Sequence, residues 1–499
     1  MSAPGRPKGE YRSAQREGTS VTGDTVATPR IVIVGAGPAG VRAAQALVQA
    51  GVRPIVVDEG QRDGGQIYRR QPEGFTRPYT KLYGTEAAKA DALHRDFDAL
   101  RSRLDYRRDT LAWNVSAAPA GEAREGQLHV IHDGQAQTIP FDALLVCSGA
   151  TDRLMPVAGW HRAGCYSLGA AQIALKAQAC AIGARVVFLG SGPLLYLVAS
   201  QYEQAGAHVE AVLDTAPSRK TLRTVAGLMA RPRLALRGWA LMRGLRRAGV
   251  TVLQGVTPLR IAGDEAYGAQ AVVVRDARGR ERRFECDAVG LGWHLRAESQ
   301  LADLARCEFE FEPASRQWLP RIDDDGRSSV RGVYLAGDGA RLLGADGAEA
   351  AGRLAALAAL DDLAHPEGRA RYQAEAATLR RTLQRMDRFR RGLAQAFPWP
   401  QAQAAALPDD AVVCRCEAVT AGELRRCVAE TDSREVNRAK AFSRVGMGRC
   451  QGRYCGHASA EIVAHACGIP VEQVGRLRTQ APVKPVLMKT REAVTEAAA

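Results

Sequence analysis

A chain of 499 residues, 46% hydrophobic and 24% charged, is long enough for three or four domains with ample core. Its formal net charge is +14, yet no run of 18 or more apolar residues occurs, which argues against a membrane-spanning helix. Eleven cysteines, an odd number behind an N-terminus with no apolar leader, point away from a disulfide framework and toward reduced thiols and metal ligation in a cytoplasmic protein.

Residues 1–29 are polar and read as a flexible tail. The apolar strand IVIV (31–34) follows, then GAGPAG (35–40), a helix over VRAAQALVQA, and a second apolar strand, PIVVDE, ending at Asp58 and Glu59. A strand, a G-x-G-x-x-G turn, a helix and an acid about 20 positions on make a complete dinucleotide-binding β-α-β unit. Gly35 makes the tight turn, Gly37 lets the backbone approach a pyrophosphate, and Gly40 allows the helix to pack on the strand. Pro38 and Ala39 open the helix, whose N-terminus receives the phosphate charge. Asp58 is the better candidate for the ribose hydroxyls, with Glu59 as the alternative.

The strand in FDALLVCSGA exits at Ser148 and Gly149. A second β-α-β unit then spans 185–214, with Gly190, Gly192 and a terminal Asp214. Its third glycine position is Leu195, so two readings stay open: a second nucleotide (FMN, ATP or NAD(P)) or a vestigial structural copy. Between Thr215 and Val250 stand nine Lys or Arg residues, Arg219 and Lys220 among them, and no acid. That stretch suits an acidic partner protein or a nucleotide phosphate, or is a solvated surface; no nucleic-acid-binding module accompanies it.

Farther on, GVYLAGDGA places Gly337, Asp338 and Gly339 at another strand exit before a Gly/Ala-rich helix (347–360). Asp338 could accept hydrogen bonds from a ribityl chain, and the helix N-terminus could stabilise charge on a reduced flavin by roughly 0.3–1 kcal/mol. Leu379, Leu383, Met386, Leu393 and Phe397 recur at helical spacing, predicting a connecting helix that Pro398 and Pro400 stop.

Near the C-terminus, Cys414 and Cys416 form a C-x-C pair and Cys450 and Cys455 a C-x4-C pair, 33 residues apart. Two thiolate pairs on short turns can bind the two irons of a [2Fe-2S] cluster, and Gly446, Gly448, Gly452 and Gly456 permit close backbone approach. A four-cysteine zinc site is the rival, although such sites usually use C-x2-C or C-x4-C pairs. The other cysteines and the scattered histidines, His294 and His457 included, read as packing residues.

These motifs carry three resemblances. The strings CRCE and RCQGRYCG resemble the bacterioferritin-associated-ferredoxin-like cluster domain. Residues 30–365, through GAGPAG, CSGA and LAGDGA, resemble the two-dinucleotide-domain flavoprotein disulfide reductases. That likeness implies FAD held around Gly35, Gly37, Gly40, Asp58, Gly65 and Gln66 (in GGQIY), Gly149, Gly337 and Asp338. A reductase dithiol is missing: the matching stretches offer Gly64, Gly65 and Gln66, and an isolated Cys286. Over about 440 residues, GAGPAG, DEGQRDGGQIYRR, LAGDGA and the four cysteines resemble the electron-handling subunit of heteromeric FAD-dependent amine dehydrogenases. That family takes in opine oxidase A subunits, alpha-type subunits of proline and hydroxyproline dehydrogenases, and a hydrogen cyanide synthase subunit.

The expected fold is α/β, with two nested Rossmann-like dinucleotide-binding domains, residues 30–165 with 291–365 for FAD and 166–290 for the second unit. A connecting helix (366–407), a small mainly helical iron–sulfur domain (408–476) and an extended tail (477–499) complete it. The expected function is that of one subunit in an FAD-dependent oxidoreductase acting on CH-NH or CH-NH2 donors: opines, proline or hydroxyproline, a related secondary amine, or glycine. The resemblance implies two kinds of partner, a flavoprotein, oxidase-like beta subunit on which the amine is oxidised and a small ferredoxin-like subunit. An NAD(P)H-dependent flavin and iron–sulfur reductase and a non-catalytic redox sensor are the alternatives.

Overall fold

The computed structural model describes residues 29–72, 74, 77–117, 124–218 and 221–486. Arg219, Lys220, most of the N-terminal tail and the last 13 residues lie outside them.

Two five-stranded parallel sheets carry the two nucleotide-type units. In the first the order is Val333–Leu335, Ala143–Val146, Ile31–Val34, Ile55–Val57, Asp105–Arg107. The second runs Thr251–Gln254, His208–Asp214, Arg185–Ser191, Ala288–Trp293, Cys165–Ser167. The inner strands are near-continuous Val, Ile and Leu because helices cover both faces, so no position needs to be polar; Ile31–Val34 and Ala143–Val146 are buried throughout. Each unit also carries a three-stranded antiparallel meander, Thr110–Ala117 with Gly126–His132 and Gln135–Phe141 in the first, and Thr257–Asp264 with Gly268–Arg275 and Glu281–Glu285 in the second.

The expected domain limits shift at two points. Cys165–Ser167 and Ala288–Trp293 are both strands of the second sheet, so limits at 165/166 and 290/291 cut through single strands. The crossovers between the units are instead Ala150–Asp152 and Leu295–Ala297, which pair antiparallel as a two-stranded strap.

The connecting helix is Pro366–Ala396, with His365 accepting from the Gly368 amide at its start. Of its expected apolar stripe Met386 is buried, while Leu379, Leu383 and Leu393 are half-buried; Phe389 and Gly392 are buried beside them. Gly392 crosses Gly227 of the helix Leu222–Leu228 so closely that a Cβ on either would lie 2.7 Å from the other's backbone.

The C-terminal domain is mainly helical. A hairpin of Val412–Cys414 and Val419–Thr420 leads into Ala421–Thr431, where Thr420 and Glu423 form a capping box that satisfies two orphan amides. Val436–Ser443 and Gly456–Cys467 complete the packing. This core is continuous with that of the second sheet through Trp160, Trp293 and Trp399.

Candidate functional site

The first crevice opens where strand Ile31–Val34 meets helix Pro38–Gln49. Gly35 has φ +102°, and a Cβ there would sit 2.4 Å from the Cys147 carbonyl oxygen; a Cβ on Gly40 would sit 1.8 Å from the Gly35 oxygen. Both glycines are demanded by the turn itself. Gly37 is different: its φ is −78°, and a Cβ would meet only Gly65 Cα, at 3.6 Å. The fold leaves that space open, and no side chain caps the helix amides beside it. An open cradle facing uncapped N–H groups fits a pyrophosphate.

Pro38 and Ala39 are buried in the first helical turn, where Ala39 packs against Gly337 and Gly352. The GGQIY loop is tied to the same turn by a hydrogen bond from the Gly64 amide to Ala36 O, 2.8 Å. Buried Asp63 anchors that loop by accepting from Arg70 and Arg101, a support that the string DEGQRDGGQIYRR holds but does not reveal, because the pairing is made only on folding. Gln66 is exposed, with Oε1 accepting from Arg69 Nη2 at 2.6 Å.

Asp58 stands at the strand end as expected, and its two carboxylate oxygens accept from the Ala36 and Gly60 amides. Burial pushes its pKa up to about 6 against the pull of these bonds. Glu59 is turned toward solvent and pairs with Lys484 of the C-terminal segment. Asp338 caps the turn into helix Gly344–Asp362, accepting from the Leu343 and Gly344 amides at 2.8 and 2.9 Å, and burial raises it to about 6 as well. Gly337 has φ +72°; Gly149, at φ +71°, has nothing within 4 Å of where a Cβ would be. Folding thus sets Gly65 against Gly37, Gly337 against Ala39 of the same turn, and Gly149 against Gly339 of the Asp338 turn.

The second unit is closed by its own side chains. Asp214, fully buried, accepts from the Tyr196 hydroxyl at 2.6 Å and from the Ala216 amide at 2.8 Å. Gln254 Nε2 donates to the same tyrosine oxygen. A Cβ on Gly190 would lie 1.8 Å from Gly292 O, so that glycine answers to strand packing. Gly192 faces the His294 ring, whose Nε2 meets Phe397 O at 2.8 Å; burial lowers the His294 pKa to about 4. Gly190, Gly192 and Asp214 therefore have internal partners. Cys286, isolated along the sequence, lies near Cys165 in the fold, and burial, with that thiol next, pushes it up to about 12, the opposite of what an attacking thiolate requires.

The four cysteines converge. Contacts run from Cys416 to Cys450, on to Cys455 and then to Cys414. Hydrogen bonding from Cys455, aided by the Gly446 and Glu417 amides, lowers Cys414 to about 6; Cys455, the Tyr454 amide, Cys416 and the Gly452 amide lower Cys450 to about 5. Backbone N–H groups aimed at sulfur are what cluster ligation requires. A string of paired thiols, C-x-C and C-x4-C, suits the two irons of a [2Fe-2S] cluster. Gly448 is needed because a Cβ would fall 2.2 Å from Cys416 Cβ, and Gly446 and Gly452, both at positive φ, close against Leu477.

Charge completes the fit. Arg296 sits on the strap beside a cavity that Gln451, Gly452, Gly456 and His457 also line, and its Nη1 is buried without a hydrogen-bond partner among the described residues. A buried guanidinium nitrogen with no acceptor is costly; Glu298 supplies one negative charge facing it, Cys450 and Cys455 stand next, and a cluster held by four thiolates would add to that offset. No spacing in the sequence marked Arg296, since it lies more than a hundred residues from the cysteines.

The fold and the two sites define a flavoprotein oxidoreductase with an iron–sulfur centre. Residues 29–358 match the pyridine nucleotide-disulphide oxidoreductase family, and residues 412–465 match the BFD-like [2Fe-2S] binding domain. The chain is 38% identical to one of the opine oxidase A subunits of Rhizobium meliloti over 91% of its own length and 86% of that protein. It is 29% identical to hydrogen cyanide synthase subunit HcnB of Pseudomonas aeruginosa over 92% and 97%. Its fold superposes on the crystal structure of L-proline dehydrogenase from P. horikoshii with a TM-score of 0.66 at 18% identity, covering 92% of this chain and 78% of the other. The chain belongs to the family of opine oxidase A subunits, within the pyridine nucleotide-disulphide oxidoreductases. It is an oxidoreductase subunit whose cofactors are FAD and a [2Fe-2S] cluster. Among the described residues no helix is long and apolar enough to cross a membrane.

Proposed function

We propose that this chain is the electron-handling subunit of a heteromeric dehydrogenase for an opine, proline-type imino acid or related secondary amine. Substrate is oxidised on a partner flavoprotein subunit, and a small ferredoxin-like subunit is a further candidate partner. FAD supplies two-electron chemistry and the cluster one-electron chemistry. Gly37, Gly65 and the helix amides hold the pyrophosphate, Asp58 faces the ribose, Asp338 orients the ribityl side, and Cys414, Cys416, Cys450 and Cys455 hold the cluster.

The observation that supports this reading is the pairing in one chain of an open flavin cradle with a four-cysteine loop, matched nearly end to end by a relative whose own name makes it one subunit of an oxidase. The closed second crevice weighs against the NAD(P)H-reductase alternative. The test is to assay the purified chain against opines, proline, hydroxyproline, sarcosine and glycine with an artificial acceptor, alone and then with the co-expressed partner. Turnover is expected only with the partner; rapid turnover by the chain alone, unchanged by the partner, would overturn the reading.

A further inference from the structure

The hydrogen bonds that leave the flavin crevice lead to the cluster loop. Gly149 O accepts from the Glu298 amide at 3.0 Å, and Ser148 Oγ donates to the Glu298 carbonyl. Gly339 presses on the same exit, since a Cβ there would lie 2.7 Å from Ser148 Oγ. The Glu298 side chain extends the other way. Its carboxylate takes Arg453 Nε at 2.8 Å and Nη2 at 3.1 Å, a two-point ion pair.

Arg453 lies between Cys450 and Cys455, and its Nη1 donates to Cys450 O at 3.3 Å and to Val483 O at 2.8 Å. Alongside, Gln300 Nε2 donates to Gln451 O at 3.0 Å. Glu298 is 9% exposed and Arg453 7%. A buried ion pair is a poor route to stability, because desolvation offsets most of the attraction, but it specifies geometry when both partners are held at several points. Here both partners are. Glu298 is fixed by its backbone to the flavin crevice, and Arg453, itself in the cluster loop, is fixed by the Cys450 carbonyl of that loop and by the Val483 carbonyl of the C-terminal segment.

We propose that the Glu298–Arg453 pair is a positioning bridge that locks the cluster loop against the flavin crevice and so sets the rate at which single electrons pass between FAD and the [2Fe-2S] cluster. This rests on the functional reading above. In each passage one electron leaves the reduced flavin and converts one ferric iron to ferrous. A flavin proton goes to solvent, and a one-electron acceptor must empty the cluster before the second passage. The bridge takes no electron itself; it holds donor and acceptor at one separation.

The test uses the full chain loaded with both cofactors. Its flavin is photoreduced by a light pulse under anaerobic conditions, with EDTA as the sacrificial electron donor, and the cluster is followed by absorbance and electron paramagnetic resonance. Glu298→Gln is expected to keep its FAD, iron and sulfide contents and static cluster spectrum, yet reduce the cluster at least about tenfold more slowly. Because that variant strands the Arg453 guanidinium, Glu298→Gln with Arg453→Met is made as well; it removes both charges of the bridge, leaves in place Arg296, the other guanidinium that Glu298 faces, and should be as slow. A rate within twofold of the parent in the double variant overturns the proposal, as does cluster loss with FAD retained in both variants, which marks a purely structural pair. If the unmodified chain passes no electron from flavin to cluster, the functional reading falls with it.

Discussion

Tyr196 donates its hydroxyl hydrogen to Asp214 across 2.6 Å, and both side chains are buried at the end of the strand His208–Asp214. In a nucleotide-binding β-α-β unit the acid at this strand end faces the ribose hydroxyls; here it faces a tyrosine from the intervening helix. Mixing the FAD-loaded chain anaerobically with NADPH or NADH is therefore expected to leave the flavin absorbance unchanged. Immediate bleaching would show that the second crevice takes a nicotinamide. Tyr196→Phe should destabilise the chain by about 1–3 kcal/mol, read from urea unfolding, because the buried carboxylate loses one of its donors.

Two glycines of the first nucleotide motif should behave oppositely. Gly37→Val enters space that the fold leaves open, so the variant should unfold at nearly the parent's urea midpoint but purify without flavin. Gly40→Ala meets Gly35 O at 1.8 Å and should lose about 1–3 kcal/mol or more of stability whatever the flavin content. Full FAD retention by Gly37→Val would remove the pyrophosphate from this turn.

Iron and acid-labile sulfide are expected at about two each per chain, the stoichiometry of one [2Fe-2S] cluster. Cys450→Ser should abolish the cluster spectrum and leave FAD bound. Stoichiometric zinc without sulfide would contradict the ligand assignment. Arg296→Met should lower the cluster's reduction potential, since a nearby cation favours the more negative reduced state. A tenfold change in the oxidised-to-reduced ratio corresponds to about 59 mV for one electron, which a redox titration resolves.

Asp338 gives a pH dependence with a definite sign. Its folded pKa is about 6, above the ordinary 3.8, so between these values the folded chain binds more protons than the unfolded one. Its contribution is then most favourable below about pH 4 and is lost as pH rises through 6. A shift of about two units corresponds to at most about 3 kcal/mol. Asp338→Asn keeps an acceptor oxygen for the Leu343 and Gly344 amides without the charge. In the flavin-free chain its unfolding free energy relative to the parent should rise between pH 4 and 7. A difference that stays flat over that range would show that the carboxyl titrates normally.

The sequence by itself determined whatever depends on local geometry. Gly35 and Gly40 could be read because a tight turn and a close helix leave no room for a Cβ. The strands could be read because burial on both faces demands unbroken apolar runs, and the four cysteines because iron ligation needs thiolates in pairs. The tertiary structure alone decided what depends on residues distant in the chain. Asp214 was open in the sequence to a second nucleotide or a structural copy, and folding placed the Tyr196 hydroxyl on it. Cys165–Ser167 and Ala288–Trp293 looked divisible until their pairing put them in the second sheet. Arg296 and Glu298 belong to no motif, and Arg453 stands within RCQGRYCG with nothing in that string to mark its partner; the strap strand Leu295–Ala297 carries the first two to the cluster loop, where long-range packing joins them to the third. A buried charge is recognised only by the partner that folding brings to it, and spacing along the chain carries no trace of that partner.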